Sequence, residues 1–172
     1  MNILKFKHLI FAFGSLVALT FASCDKDSDS SEDIIAKNKA TKEEGETFLL
    51  ENRSAEGVVE TYSGLQYKVD TVGKGEKPIL SDSVTMKYVA KLSDGTIFAK
   101  SDKETLLLSS QIAGLRQGLR YMREGSKFTL YIPYYLAYDV NGRSFRYNGS
   151  VVTVNSYSLV IFECNLLSIK HN

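Results

Sequence analysis

The chain has 172 residues, of which 44% are hydrophobic, enough for one domain with its own core. Its 21 Lys and Arg nearly balance its 20 Asp and Glu, which gives a net charge of +1. This balance argues against a nucleic-acid-binding protein, because such proteins usually need a basic patch to bind phosphates.

Residues 1–23 have the pattern of a secretory signal, in which Lys5 and Lys7 precede an apolar run that is too short for a stable membrane span. The small residues directly before Cys24 resemble a bacterial lipobox, which implies cleavage before Cys24 and acylation of its thiol. The alternative is an ordinary signal peptide followed by an incidental cysteine. Removal of residues 1–23 takes away two lysines and no acidic residue, which leaves a net charge of about −1.

The segment after Cys24 is acidic and rich in serine. Residues 25–33 contain no apolar side chain, so we predict a flexible tether over residues 24–40. Such an acidic run resembles the surface-export signal of some Gram-negative lipoproteins, and a plain linker facing the periplasm is the alternative. A Thr-x-x-Glu capping box that begins at Thr41 precedes an apolar stretch and predicts a short helix over residues 41–56.

Residues 57–172 have the pattern of a small β-rich domain, in which apolar and polar residues alternate over short segments separated by turn sequences. One helix is predicted between Ser109 and Met122, capped by Ser109 or Ser110, because apolar residues recur there at helical spacing. Strands, one helix and further strands predict an α+β fold, with the helix packed on one face of an antiparallel sheet.

Two glycines and one cysteine indicate how the predicted helix and one predicted strand pack. Gly114 and Gly118 each cost roughly 1 kcal/mol relative to Ala inside a helix, so we attribute them to a close approach of the helix to the sheet. Cys164 lies in an alternating segment, residues 159–166, which predicts a strand with a buried, inert thiol. No internal disulfide is expected, because Cys24 is the only other cysteine and is the expected acylation site.

Three motifs occur in a recognisable order along the domain. They are Ser81-Asp-Ser-Val-Thr-Met-Lys-Tyr88, Asp94-Gly-Thr-Ile-Phe98 and Ile132-Pro-Tyr-Tyr-Leu-Ala-Tyr138. In this order they resemble the FKBP-type peptidyl-prolyl cis-trans isomerases, in the bacterial lipoprotein form. The resemblance implies an FKBP-like antiparallel sheet wrapped on one short helix, and catalysed rotation about X-Pro bonds without a cofactor.

The same resemblance implies which residues form a prolyl-binding cup. The expected walls, floor and hydrogen-bond donors are Tyr88, Phe98, Ile112, Leu115, Tyr138 and Phe162. The backbone N–H of Ile112 and the hydroxyl of Tyr138 are the expected donors, and Leu115 is the expected floor. Further contacts to substrate are expected from Ala99, Gln111, Ala137, Phe145, Tyr147 and Val154. For each of these residues, an ordinary place in the core of a small sheet is the alternative.

Departures from the family pattern bear on the rate and on the rim of the cup. Ala99 stands where the family commonly has an aspartate, which removes a polar contact to the twisted carbonyl and implies reduced activity. Leu115 stands where a tryptophan is frequent and keeps the floor apolar. Residues 139–155 replace a Pro-rich loop. They are predicted either to contact an extended peptide or to form a β-hairpin that turns at Asn148-Gly149.

Two functional hypotheses from different classes follow. The first is a lipid-anchored, monomeric prolyl isomerase that acts on exported polypeptides at the cell envelope of a Gram-negative bacterium, anchored in the outer membrane. The second is a non-catalytic module or envelope chaperone that binds peptides or proteins in the same cup. No metal site is expected, because His8 lies in the signal, His171 is terminal, and no ligand cluster has suitable spacing.

Overall fold

The structure is a computed structural model that describes residues 30–172. The signal over residues 1–23, the predicted acylation site Cys24 and the first residues of the predicted tether lie outside the described residues. The helices are α1 (Ser31–Asn52) and α2 (Ala113–Tyr121), with 3-10 turns at Leu108–Ser110 and Tyr134–Leu136. The strands are β1 (Val58–Glu60), β2 (Gln66–Thr71), β3 (Ser83–Leu92), β4 (Ile97–Leu107), β5 (Lys127–Ile132), β6 (Arg143–Tyr147), β7 (Ser150–Val154) and β8 (Val160–Lys170). Within this part of the chain, neither helix is long and apolar enough to cross a membrane.

Six of the strands form one antiparallel sheet in the order β1-β2-β5-β8-β3-β4. The strands β6 and β7 pair only with each other, as a separate hairpin. The α+β arrangement predicted from the sequence is therefore confirmed. Cys164 lies on the central strand β8 with its thiol buried, as predicted, and this burial raises its pKa well above the usual thiol range.

The helix α2 packs closely on β5, and the two glycines explain how. A Cβ atom at Gly114 would collide with the Cγ2 atom of Ile132, and one at Gly118 would collide with the Cδ1 atom of Leu130. Both strand residues are fully buried. The close approach predicted for Gly114 and Gly118 is confirmed, and it brings the N-terminal end of α2 down onto the sheet.

The predicted capping of α2 is wrong. The helix begins at Ala113, its N-cap residue is Ile112, and no side chain caps it. Ser109 and Ser110 belong instead to the preceding 3-10 turn, where the Ser110 hydroxyl donates to the carbonyl of Leu107. Because serine hydroxyls bond readily to nearby carbonyls, they stabilise such turns as well as helix N-termini.

The first helix begins ten residues earlier than predicted and is long rather than short. Its capping box is Ser30 with Asp33, so residues 31–40, assigned to a flexible tether, are helical. The Thr41 hydroxyl donates to the carbonyl of Lys37 within the helix. Acidic residues favour the first turn of a helix because they interact with its dipole. The composition that suggested a solvated linker therefore also suits a helix start.

The C-terminal end of the chain is held by an ionic cluster. The imidazole of His171 has its Nδ1 atom 3.0 Å from Oδ1 of the buried Asp82 and its Nε2 atom 3.0 Å from Oε2 of Glu76. Two carboxylate acceptors require a proton on both ring nitrogens. The hydrogen bond to Asp82, followed by that to Glu76, raises the pKa of His171 above its ordinary value.

We expect this cluster to make stability depend on pH. A group whose pKa is higher in the folded state stabilises the fold below its unfolded pKa, about 6.5 for histidine, and loses this effect as pH rises through the folded pKa. The difference in thermal midpoint between the parent and His171→Asn should therefore be large near about pH 6 and small near about pH 9. Thermal unfolding across this range measures it.

The matched control is Asn172→Ala. The side chain of Asn172 donates to the carbonyl of Ser81 and to the hydroxyl of Ser83, next to the same cluster, but does not titrate. Its loss should lower the midpoint by a similar amount at every pH. An equal pH dependence in the parent and in His171→Asn would show that the cluster is not the cause.

Candidate active site

A cavity of about 310 Å³ opens where β3, β4, β8, the start of α2 and the β6–β7 hairpin meet. Its lining residues are Tyr88, Phe98, Ala99, Glu104, Leu106, Ser110, Gln111, Ile112, Leu115, Tyr138, Arg143, Phe145 and Phe162. The structure thus brings together all six residues expected to form the cup and three of the expected substrate contacts, Ala99, Gln111 and Phe145. Their roles toward a substrate remain predictions.

Phe98 is the centre of the aromatic wall. Its side chain is only 1% exposed, and its ring centroid lies 4.8 Å from that of Phe145, 6.0 Å from that of Phe162 and 6.2 Å from that of Tyr138. The rings of Tyr138 and Phe162 meet Phe98 edge to face, at 83° and 77°. Such edge-to-face pairs stabilise a fixed arrangement beyond the effect of area alone. The wall is therefore rigid and apolar.

Two tyrosines of the lining differ in what their hydroxyl groups do. The hydroxyl of Tyr88 donates to Oε2 of Glu104 at 2.7 Å. The hydroxyl of Tyr138 makes no hydrogen bond within residues 30–172. Burial raises the pKa of Tyr138 to about 12, against a smaller opposite effect of Arg143. Tyr138 is consequently a neutral donor in the lining of the cavity, without a partner in this part of the chain.

The start of α2 contributes backbone donors. Ile112 is the N-cap residue, no side chain caps the helix, and the N–H of Ile112 donates to no group in the described part of the chain. The first N–H groups of a helix have no partner within it. Because Ile112 and Leu115 line the cavity, this end of α2 presents an apolar floor beside free amides.

The β6–β7 hairpin supplies part of the rim. Asn148 and Gly149 have φ values of 48° and 79°, as a type I′ turn requires, so the predicted hairpin at Asn148-Gly149 is confirmed. Phe145 reaches the cavity from this hairpin. The guanidinium carbon of Arg143 lies 5.3 Å from the ring centroid of Phe145 and 6.0 Å from that of Tyr138, within cation–π range.

Three residues expected to contact substrate lie outside the lining of the cavity. Val154 is fully buried in the core at the end of β7, where it pairs with Arg143. Ala137 ends the 3-10 turn after Pro133, and Tyr147 lies at the far end of the hairpin beside its turn. The hairpin brings Arg143 and Phe145 to the cavity and leaves Tyr147 and Val154 outside its lining.

Four lining residues were not identified from the sequence: Glu104, Leu106, Ser110 and Arg143. Leu106 is a partly buried apolar residue of β4, but residues 100–107 have no regular apolar alternation that would have identified it. Glu104 owes its orientation to an irregular strand register, for which the sequence offers no signal. In residues 30–172, no three His, Cys, Asp or Glu side chains form a cluster that could hold a metal ion.

We expect Phe98→Ala to destabilise the fold as well as the cavity. Truncation of a buried phenylalanine usually lowers the free energy of unfolding by about 3–5 kcal/mol. Phe98 contacts three other rings, so we expect its loss of unfolding free energy to fall within this range. Denaturant unfolding measures the loss, and Tyr147→Ala, outside the cavity, is the control with a smaller loss. A loss below about 1 kcal/mol for Phe98→Ala would contradict its central position.

Comparison with protein families places the chain in a known group. Residues 74–167 match the model described as FKBP-type peptidyl-prolyl cis-trans isomerase. Residues 18–69 match the model described as the domain amino terminal to FKBP-type peptidyl-prolyl isomerase.

Individual relatives agree with these matches. A probable FKBP-type peptidyl-prolyl cis-trans isomerase FkpA of Neisseria meningitidis is 40% identical over 129 residues, which are 73% of this chain and 47% of the relative. The outer membrane protein MIP of Legionella longbeachae is 35% identical over 155 residues, which are 83% of this chain and 64% of the relative. The chain therefore spans about half to two thirds of the length of these curated relatives.

Solved structures show the same fold. The crystal structure of FkpA from Escherichia coli has a TM-score of 0.73 at 28% identity, over 81% of this chain and 64% of that one. A peptidyl-prolyl cis-trans isomerase from Pseudomonas syringae has a TM-score of 0.69 at 28% identity, over 78% of this chain and 96% of that one. The fold is FKBP-like, and because the family model covers more than half of its residues, this chain belongs to the FKBP-type peptidyl-prolyl cis-trans isomerase family.

Proposed function

We propose that this protein is a peptidyl-prolyl cis-trans isomerase that acts on exported polypeptides without a cofactor. The observation that carries the proposal is the cavity itself, an aromatic cup whose lining includes Tyr138 with a hydroxyl that has no partner in residues 30–172. Membership in the isomerase family and the isomerase names of its relatives support the same activity.

The reaction needs little from the protein beyond shape and well-placed donors. Rotation about an X-Pro amide has a barrier of roughly 18–20 kcal/mol, because the C–N bond has partial double-bond character. The twisted transition state loses this resonance, so a site that encloses the prolyl ring in apolar walls and donates hydrogen bonds to the twisted amide lowers the barrier. No nucleophile is required.

The described residues match these needs. Phe98 and Phe162 provide apolar walls, and Leu115 provides the floor. The hydroxyl of Tyr138 and the N–H of Ile112 are donors without a partner in residues 30–172. A high pKa keeps Tyr138 protonated at physiological pH, as a hydrogen-bond donor must be.

The expectation of reduced activity rests on Ala99, which cannot supply the carboxylate that the family commonly has there, and on the altered segment of residues 139–155. The lining of the cavity contains one carboxylate, that of Glu104.

The second candidate function is a non-catalytic peptide-binding module. The observation that favours it is the rim of the cavity, where Arg143 and Phe145 of the hairpin add contact surface for an extended peptide. Both candidates use the same cavity, so they differ in one property, whether a bound prolyl peptide interconverts faster than the free one.

We expect Tyr138→Phe to lower the catalysed rate of isomerisation at least about tenfold, because loss of one donor aimed at a transition state commonly costs that or more. NMR exchange spectroscopy on a tetrapeptide of the Ala-Leu-Pro-Phe type, with cis and trans signals resolved, measures the rate. The free energy of unfolding should change little, since the hydroxyl of Tyr138 makes no hydrogen bond in residues 30–172.

Tyr147→Phe is the matched control, because this tyrosine lies on the same hairpin but outside the cavity. Its rate should equal that of the parent. A parent protein that binds the peptide without accelerating its exchange would establish the binding module instead. Undiminished exchange in Tyr138→Phe would refute the assigned donor.

The proposed location is the cell envelope of a Gram-negative bacterium, with the protein anchored in the outer membrane through an acylated Cys24 and acting as a monomer. The signal pattern of residues 1–23 and the small residues before Cys24 support this proposal. One relative, from Legionella longbeachae, bears the name outer membrane protein.

We expect Cys24→Ser to abolish lipid attachment when the full-length chain is expressed in a Gram-negative host. Metabolic labelling with a fatty acid should mark the parent protein and leave the variant unmarked, because acylation requires the thiol. Cys164→Ser is the control and should retain the label, since its thiol is buried in β8. Equal labelling of the parent and Cys24→Ser would overturn the proposed anchor.

A further inference from the structure

We propose that Glu104 acts as a positioning residue by holding the Tyr88 ring in the wall of the catalytic cup. This inference rests on the proposed isomerase function and identifies one more residue of the same site. Three observations carry it: the register of β3 and β4, the hydrogen bond between Glu104 and Tyr88, and the place of Glu104 in the lining of the cavity.

The strand register explains why Glu104 faces the cavity. Tyr88 pairs with Ser101, so unbroken pairing of β3 with β4 would place Lys103 opposite Met86. A register shift in this stretch places Glu104 opposite Met86 instead. Opposed residues of an antiparallel pair point to the same face of the sheet, and a slip of one residue reverses the face. The shift therefore turns a carboxylate, rather than a lysine, toward the side on which Met86 is buried.

The hydrogen bond fixes the orientation of the Tyr88 ring. The hydroxyl of Tyr88 donates to Oε2 of Glu104 at 2.7 Å, a normal distance for an O–H···O hydrogen bond. The other side of the ring packs on Phe162, with centroids 6.0 Å apart. Burial, and next to it the bond to Glu104, raises the pKa of Tyr88 far above its ordinary value, so that the phenol stays protonated and keeps donating.

Glu104 has no other partner that would explain its position. Within residues 30–172, its carboxylate forms no ion pair with a lysine, arginine or histidine. A half-buried carboxylate such as that of Glu104 loses part of its hydration, which disfavours it unless it is hydrogen-bonded. The neighbouring acid Asp102 shows the contrast, because it is exposed and pairs with Lys87. The hydrogen bond to Tyr88 is therefore the interaction that accounts for the position of Glu104 in the cavity lining.

The first test is a set of single variants assayed by NMR exchange of a prolyl tetrapeptide. Glu104→Ala should lower kcat/KM about tenfold, the usual effect of losing a hydrogen bond to a charged group. Glu104→Gln should retain most of the rate, because its amide oxygen still accepts from Tyr88. Asp102→Ala, on the same strand, is the control and should equal the parent. Full activity in Glu104→Ala would overturn the proposal.

The second test asks whether Glu104 acts through Tyr88. In a Tyr88→Phe background the hydroxyl that donates to Glu104 is absent. Adding Glu104→Ala to this background should therefore cause little further loss of rate. If the two losses simply multiply, Glu104 does not act by positioning Tyr88, and the proposal fails.

A readout without catalysis separates this inference from the proposed function. The hydroxyl proton of Tyr88, bonded to Glu104, should exchange slowly with water and give a resolved NMR signal. This signal should be retained in Asp102→Ala and lost in Glu104→Ala. A parent that catalyses no exchange refutes the proposed function, whereas absence of the Tyr88 signal in an active parent refutes the positioning role of Glu104.

Discussion

The contact between α2 and β5 is the constraint on which the cavity depends. Gly114 and Gly118 leave no room for a Cβ atom, so the helix lies directly on the side chains of Ile132 and Leu130. At this separation the helix start forms the floor of the cup, and its free amides lie beside the apolar surface. A more distant helix would leave the aromatic rings without a floor, so the low helix propensity of glycine is the cost of forming a site here.

The sequence predicted those features that follow from local patterns. Alternation indicated the strands, the helical spacing indicated α2, and the Asn148-Gly149 pair indicated the hairpin, because each depends on the chemistry of neighbouring residues. The start of α1 was missed because a Ser–Asp capping box has the same composition as a solvated linker. Glu104 was missed because a register shift depends on two strands at once, and no single segment encodes it.

The helix α1 is part of the domain as well as a leader to it. Near its C-terminal end, the Asn52 side chain donates to Gln66 on β2, and the Gln66 amide donates to the carbonyl of Leu49. Farther back, the Glu44 carboxylate accepts a hydrogen bond from Ser93, in the turn between β3 and β4. These hydrogen bonds fix the orientation of α1 relative to the sheet. The hydrogen bonds to the sheet involve the second half of this 22-residue helix, and the N-cap residue Ser30 lies at its opposite end.

Tyr88 and Tyr138 have different roles because only Tyr88 has a hydrogen-bond acceptor within the described residues. Burial raises the pKa of both Tyr88 and Tyr138, so both are neutral donors. Tyr88 has an acceptor within the fold, Glu104, and its hydroxyl is therefore committed to structure. Tyr138 has none in the described chain, so its hydroxyl is left to donate to a bound ligand. An acceptor beside Tyr138 within the fold would occupy its hydroxyl and prevent it from donating to a ligand. The carboxylate of Glu104 does occupy the hydroxyl of Tyr88, which therefore orients the ring instead.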